Sequence, residues 1–149
     1  GKVCLIDEAY PPEELLMDAR KMKRICVFMN VFNVHVNRSP ISGLAENIVY
    51  KKGQFLNASL DKASDKNERS SLIINSANGT KIVVVQIAGL IARRILGFIS
   101  LNHNLAQGER FGLIRFGSRV DIYMPLDAIS KCKVGDKVTA GESVLASFQ

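Results

Sequence analysis

One nine-residue pattern occurs twice in the chain and restricts its fold more than any other feature. Leu101-Asn102-His103-Asn104-Leu105-Ala106-Gln107-Gly108-Glu109 lies over Val134-Gly135-Asp136-Lys137-Val138-Thr139-Ala140-Gly141-Glu142, an offset of 33 residues. Each copy runs apolar, turn, apolar, turn, and ends in Gly-Glu before a strand-like stretch. Turn residues this closely spaced leave no room for a helical period, so the segments read as short strands folded back on themselves.

The remaining texture agrees. Ile25 to Val36 is rich in Val, Ile and Phe, and Ser71 to Ile74 and Thr80 to Ile87 flank Ala77-Asn78-Gly79, a hairpin signal. Leu90 to Ile99 is expected as a further strand, and the polar, charged stretch Lys62 to Arg69 as a solvated loop. Pro11-Pro12-Glu13-Glu14-Leu15-Leu16, running on to Lys21, Lys23 and Arg24, has the acid-first, base-last order of a short helix. The expected fold is mainly β with one or two short helices. The Gly135-Asp136-x-Val138-x-x-Gly141-Glu142 pattern also resembles the hairpin element of barrel-sandwich hybrid domains, such as biotinyl and lipoyl carriers. That resemblance implies a barrel-sandwich hybrid-like β domain and nothing about chemistry.

A chain of 149 residues is the size of one domain, large enough for a core without staples. Its longest apolar run, Ile82 to Leu90, is interrupted by Gln86 and followed by Arg93 and Arg94, so no spanning helix is expected. Gly1 to Ile6 is too short for the apolar part of a signal peptide. Three cysteines, Cys4, Cys26 and Cys132, lie far apart in sequence and point to a reducing compartment. A formal charge of +6 favours anionic partners: nucleic acid, an anionic bilayer or a phosphorylated substrate. Nucleic acid is the weakest of these, because Trp is absent and no basic stretch carries interleaved aromatic residues.

Few residues can carry chemistry. His35 and His103 are the only histidines and no Cys-x-x-Cys occurs, so a metal site is not expected. Neither G-x-G-x-x-G nor a Walker-type G-K-[ST] is present, which removes the usual nucleotide handles. In Phe32-Asn33-Val34-His35-Val36-Asn37-Arg38-Ser39-Pro40, strand alternation puts Asn33, His35 and Asn37 on one face, suiting either a cleft or a half-buried histidine held by its neighbours. Gln86, inside an apolar strand, needs a buried partner or a site to face. Arg115 and Arg119 share strand parity with Gly117, as cleft residues or as exposed strand charges. The most suggestive stretch is Phe116-Gly117-Ser118-Arg119-Val120-Asp121. Ser118 has no G-x-S-x-G elbow around it, yet a Gly-Ser pair in a strand-like run is where a chain can cut itself.

Several ordered motifs then lead to a family. Val34-His35-Val36-Asn37-Arg38-Ser39-Pro40-Ile41-Ser42-Gly43, Gly53-Gln54-Phe55-Leu56-Asn57-Ala58, Asp61-Lys62-Ala63-Ser64 and Asn67-Glu68-Arg69 resemble the small bacterial and archaeal class of phosphatidylserine decarboxylases. So do Val84-Val85-Gln86-Ile87-Ala88-Gly89-Leu90-Ile91-Ala92-Arg93-Arg94-Ile95 and Gly108 to Asp121. The resemblance implies a zymogen that cuts itself between Gly117 and Ser118, giving residues 1 to 117 and 118 to 149 of a single catalytic domain. In that family the serine hydroxyl attacks the preceding glycine carbonyl, and elimination and hydrolysis leave a covalent pyruvoyl group on the downstream fragment. The pyruvoyl group serves as the electron sink for converting phosphatidylserine to phosphatidylethanolamine and carbon dioxide.

The resemblance further implies that His35 gives acid-base help, since imidazole titrates near neutrality. It leaves Arg38, Arg115, Arg119 and Gln86 as candidate substrate-binding residues, and Phe28, Met29, Phe32 and Leu56 as candidates for an acyl groove. Phosphatidylserine, an anionic membrane surface and a homo-oligomeric partner are expected, at the cytoplasmic face of the cell membrane. The family's membrane anchor and its Ala-Asp-Gly stretch, whose aspartate orients the histidine, would precede Gly1, so the chain is expected to be a fragment. Nothing in the spacing of Asp61 or Asp121 recommends either as a substitute. The rival expectation is a noncatalytic carrier, because Asp61-Lys62-Ala63 resembles the lipoylated tripeptide, but Lys62 precedes both repeat copies instead of lying between them.

Overall fold

The structure, a computed structural model, describes residues 1–18, 20–30 and 36–148. Its apolar runs become strands β1 (Lys2–Ala9), β2 (Met22–Met29), β3 (Val36–Arg38), β4 (Gly43–Lys51), β5 (Arg69–Asn75), β6 (Lys81–Ile87), β7 (Ile95–Gly97), β8 (Asn104–Leu105), β9 (Arg110–Ile114), β10 (Ser118–Met124), β11 (Ile129–Ser130) and β12 (Ala146–Ser147). A 3-10 turn (Glu13–Leu15) and one short helix, α1 (Ala63–Lys66), complete the described elements. All strand pairs are antiparallel, in a large sheet ordered β1-β2-β10-β6-β5-β4-β8 and two small sheets, β3-β9-β7 and β11-β12. The fold is mainly β, and its sheets do not close into a barrel.

Alternation along β10 explains the layering. Val120, Ile122 and Met124 join Val84, Ile25, Phe111 and Ile114 in the main core, under the small sheet and the C-terminal segment. Tyr123 turns to the opposite face and packs with Val83, Val85, Ile87, Leu15 and Ala63. The large sheet is therefore covered on both sides, which is why β10 and most of β6 are buried throughout.

The repeated pattern is structural. Asn102 and Gly135 both take left-handed φ, 68° and 98°, as do Gly108 and Gly141, 83° and 80°. Asn102 N donates to Ala45 O (2.9 Å) and Ala45 N to His103 O (2.9 Å), while Gly135 N donates to Val3 O (2.8 Å) and Val3 N to Asp136 O (2.9 Å). Each copy thus pairs with its own strand, β4 or β1, and each of these strands bulges directly beyond the contact, at Ala45/Asn47 and Val3/Leu5. The correspondence extends inward: β1-β2-β10 matches β4-β5-β6, with Cys26↔Asp121 equivalent to Ile73↔Val83. At the centre Ile122 pairs with Val84, flanked by Asp121↔Val85 on one side and Tyr123↔Val83 on the other. An approximate two-fold axis passes through that central pair.

Three expectations change. The acid-to-base stretch after Pro11 is not a helix beyond one 3-10 turn: Leu16 adopts left-handed φ 54° and ends it, and Lys23 and Arg24 lie in β2. The stretch from Lys62 to Arg69 is not a solvated loop, since α1 forms there and Ala63, Ser64, Asn67 and Arg69 are buried. Of Leu90 to Ile99, only Ile95–Gly97 is strand. The hairpin is as expected, with Gly79 at φ 84° between β5 and β6.

Candidate active site at Gly117 and Ser118

Ser118 is the first residue of β10 and has no exposed surface. Gly117 before it holds φ 78°, the left-handed region where glycine meets no Cβ penalty. The approximate symmetry explains this backbone. Gly117 N donates to Met29 O (2.6 Å), just as Gly79 N donates to Ser76 O (2.9 Å). Gly117-Ser118 therefore occupies the position that Gly79-Thr80 holds in the intact hairpin, but with residues 30 to 116 intervening where the hairpin has a tight turn.

The Gly117 carbonyl is held from below. A methyl group placed on Gly89 would overlap the Gly117 carbonyl oxygen, so only glycine fits there without displacing it. Gly89 is fixed in turn by its neighbour: Ala88 N donates to Glu68 O (3.0 Å), and buried Asn67 donates Nδ2 to Ala88 O (2.7 Å) and to Leu56 O (2.8 Å). The Ser118 hydroxyl donates to Arg115 O (2.6 Å), across the turn.

Strand parity separates two groups of expected residues. Gln86, opposite Val120, lies on the Ser118 face; its Nε2 donates to Asn37 Oδ1 (2.7 Å), and Asn37 contacts the sulfur of Met29, the residue paired with Ser118. Met29, Val120, Ile122, Phe111, Leu145 and Arg38 help to line a cavity of about 540 Å³ beside this polar pair. Arg38 is half-buried and donates Nη1 to Gly108 O (2.9 Å). His35 and Phe32 lie outside the described residues.

Arg119 must be corrected. It projects to the opposite face, is fully buried, and commits its guanidinium to the protein: Nε to Asp121 Oδ1 (2.8 Å), Nη1 to Ala58 O (3.1 Å) and Leu60 O (3.0 Å), Nη2 to Ser64 Oγ and Asp121 Oδ2. Burial works against its charge, but the charge and hydrogen bonds of Asp121, with Cys26 and Cys4 adding to them, together outweigh this and raise its pKa. It is a brace between β10 and the 58–64 loop, not a substrate ligand. Asp121 is equally committed, accepting from Ser64 Oγ (2.6 Å) and Arg119, so it is no base for Ser118. Removing Asp121 would leave the buried Arg119 charge without its carboxylate, at a cost of about 3–5 kcal/mol, whereas Asp121 without Arg119 would keep Arg24 at 4.0 Å. Arg115 is exposed and does not join Arg119 in one cleft. Phe28, paired with Arg119, does not line the cavity, nor does Leu56.

Ser64, Asn67, Arg69 and Gly89 went unnoticed as site supports. Arg69 clamps Glu14 through Nε and Nη2 (2.7 Å each) and donates Nη1 to Ser64 O. Their only signal was membership of ordered motifs without an evident chemical role. Burial, and for Cys26 the nearby Asp121 charge, pushes the Cys4 and Cys26 thiols up in pKa, which keeps them protonated and poor nucleophiles. Lys62 is exposed ahead of α1 and not at a hairpin tip between the repeat copies, unlike the modified lysine of a carrier domain.

A family model described as phosphatidylserine decarboxylase matches residues 3–146, from β1 to the start of β12. The chain belongs to the phosphatidylserine decarboxylase family. This membership supports a decarboxylase acting on phosphatidylserine in phospholipid metabolism and leaves no place for the carrier reading. No solved structure matches the chain. Among the described residues, no helix is long and apolar enough to cross a membrane.

Proposed function

We propose that this phosphatidylserine decarboxylase works through a pyruvoyl group made from Ser118 after self-cleavage at Gly117-Ser118. The observation that carries the reading is left-handed Gly117, its carbonyl seated on Gly89, directly before a buried serine that opens a central strand. The residues fit the group: the hydroxyl is one residue from the carbonyl, and glycine leaves that carbonyl unhindered.

Ser118 Oγ adds to the Gly117 carbonyl carbon, and the C–N bond breaks as the Ser118 nitrogen takes a proton, leaving an ester. A base then removes the Ser118 α-proton, and Oγ departs as part of the Gly117 carboxylate. The resulting enamine tautomerises, water replaces its nitrogen, and ammonia leaves. The hydroxyl proton, held by the Arg115 carbonyl at the outset, has to pass to a base, and the imidazole offered by the matching motif is that of His35. Once formed, the pyruvoyl ketone supplies the electron sink for the pair left when carbon dioxide departs.

Around it, Arg38 and Arg115 bind the anionic head group, and the Gln86–Asn37 pair sets the polar wall. The apolar cavity beside Met29 and Val120 takes an acyl chain. The substrate is met at the anionic cytoplasmic face of a membrane. The test is intact mass measurement and a denaturing gel, on the chain alone and with the family's Ala-Asp-Gly stretch joined ahead of Gly1. Two fragments divided after Gly117, the smaller blocked to N-terminal sequencing, are expected, and Ser118→Ala should stay whole. A wild-type extended chain that stays whole and unmodified, like Ser118→Ala, would sink the proposal.

A further inference from the structure

We infer that the rim of the Gly117–Ser118 site is a docking surface for an anionic phospholipid bilayer, formed by the loop that follows Gly89 together with Arg115. The inference deepens the functional reading by naming the surface through which the site would meet lipid, and it rests on that reading only for its purpose.

The loop is built to display what a soluble protein would hide. Gly89, in contact with the Gly117 carbonyl oxygen, donates its N–H to Ala92 O (3.0 Å), and Ala92 is only 1% exposed. The base of the loop is thereby pinned, with its tip turned outward. Leu90 and Ile91 at that tip are 53% and 67% exposed. Arg93 and Arg94 follow, both exposed. Arg93 Nε donates to Leu90 O (2.8 Å), and its guanidinium sits 5.1 Å from the Phe55 ring centroid, so the cation is held beside the apolar tip. Pairing of Ile95 with Ile114 brings Arg94 next to Arg115 in the continuing register, two residues before Gly117.

Two adjacent exposed aliphatic side chains with Arg93 held beside them, and with Arg94 and Arg115 neighbours in register, match the chemistry of a membrane interface. Leucine and isoleucine enter the acyl boundary while arginines hold phosphates at head-group level, and surface charge adds long-range attraction to the +6 chain. A second copy of this chain is a poorer occupant, because an isologous contact would set the same arginines against each other.

The chain contains no tryptophan, so Ile91→Trp provides a single fluorescent reporter at the loop tip. We would place it in the Ser118→Ala full chain, which can neither process nor turn over, and mix it with phosphatidylglycerol-containing vesicles bearing brominated acyl chains. The expected result is a blue shift with quenching, weakened by salt and much smaller on phosphatidylcholine vesicles. In parallel, Leu90→Asp with Ile91→Asp should lower co-sedimentation with the anionic vesicles by about tenfold or more. Leu126→Asp with Val134→Asp, at sites 48% and 60% exposed and outside the cavity, controls for adding charge to surface apolar positions and should change little.

Unquenched emission while the protein sediments with vesicles would overturn the inference, as would an equal loss in the control pair. Displacement by soluble glycerophosphoserine would assign the site to a free head group, and a shift in elution volume in place of vesicle binding would assign the surface to a second copy; either overturns it. Since no readout depends on Ser118, failure here and failure of the pyruvoyl reading are separate results.

Discussion

Gly89 takes no left-handed φ, so its backbone would accept alanine; the obstacle is the Gly117 carbonyl oxygen against its α-carbon. Gly89→Ala must push that carbonyl away from the Ser118 hydroxyl, which the proposed self-cleavage needs to attack it, and a displacement near 1 Å at a reacting centre costs about 100-fold in rate. A gel time course, run well below the melting midpoint of each protein, should show the uncleaved band persisting correspondingly longer. Processing at the wild-type rate would mean that the seat of the carbonyl has no part in the reaction. At this scale the sequence singled out Gly117-Ser118 but not the residues that pack around it. Gly117-Ser118 stands out as a dipeptide, whereas Gly89 matters only through Gly117, and Asn67 only through Leu56 and Ala88. Ser64 and Arg69 misled because polar residues read as exposed when their partners, Arg119, Asp121 and Glu14, are distant in sequence.

Among the elements, the 3-10 turn is held to the large sheet by the Glu14–Arg69 pair, whose side chains are 12% and 5% exposed. Burial alone would raise the Glu14 pKa, but the hydrogen bonds of Arg69, a backbone hydrogen bond at Glu14 and the charges of Arg69 and Lys51 together outweigh it and leave the carboxyl below its ordinary value. A carboxylate depressed in the folded state stabilises above its unfolded pKa, near about 4.3, and loses that contribution as pH falls through the folded pKa. Glu14→Gln should therefore cost about 1.5–3 kcal/mol at neutral pH. The gap between the two melting midpoints should narrow as the pH is taken below about 4. A gap independent of pH would remove the ion pair from the account. The β5–β6 hairpin and the repeated turns were legible because Asn-Gly and Gly-Glu carry backbone requirements of their own. β2 was partly missed because Lys23 and Arg24 reach partners across the sheet surface: Lys23 Nζ bonds Ala128 O and Arg24 clasps Asp7 (2.8 and 2.6 Å). Charge order alone cannot distinguish that from a helix end.

For the whole molecule, the position of β10 decides what self-cleavage would leave behind. Ser118–Met124 is paired along its length with β2 and along most of it with β6, all seven residues being buried. At the far edge Gly1 and Val138 exchange backbone hydrogen bonds (2.7 and 2.8 Å). The strand that would open the downstream fragment, β10, thus lies in the middle of a sheet whose other strands would belong to the upstream fragment. The two pieces should run as one peak in native gel filtration and part only in denaturant; separate native peaks would contradict this arrangement.

The approximate two-fold axis has one further consequence. Gly79-Thr80 shares the left-handed glycine, the following hydroxyl residue and the closing hydrogen bond of Gly117-Ser118, yet Gly79 is exposed and Thr80 only half-buried, whereas Ser118 is fully buried. Every preparation of this protein therefore carries its own blank. If the proposed self-cleavage occurs, any excess of scission at Gly117-Ser118 over Gly79-Thr80 would measure what enclosure and the primary hydroxyl, rather than peptide conformation, contribute to breaking the bond.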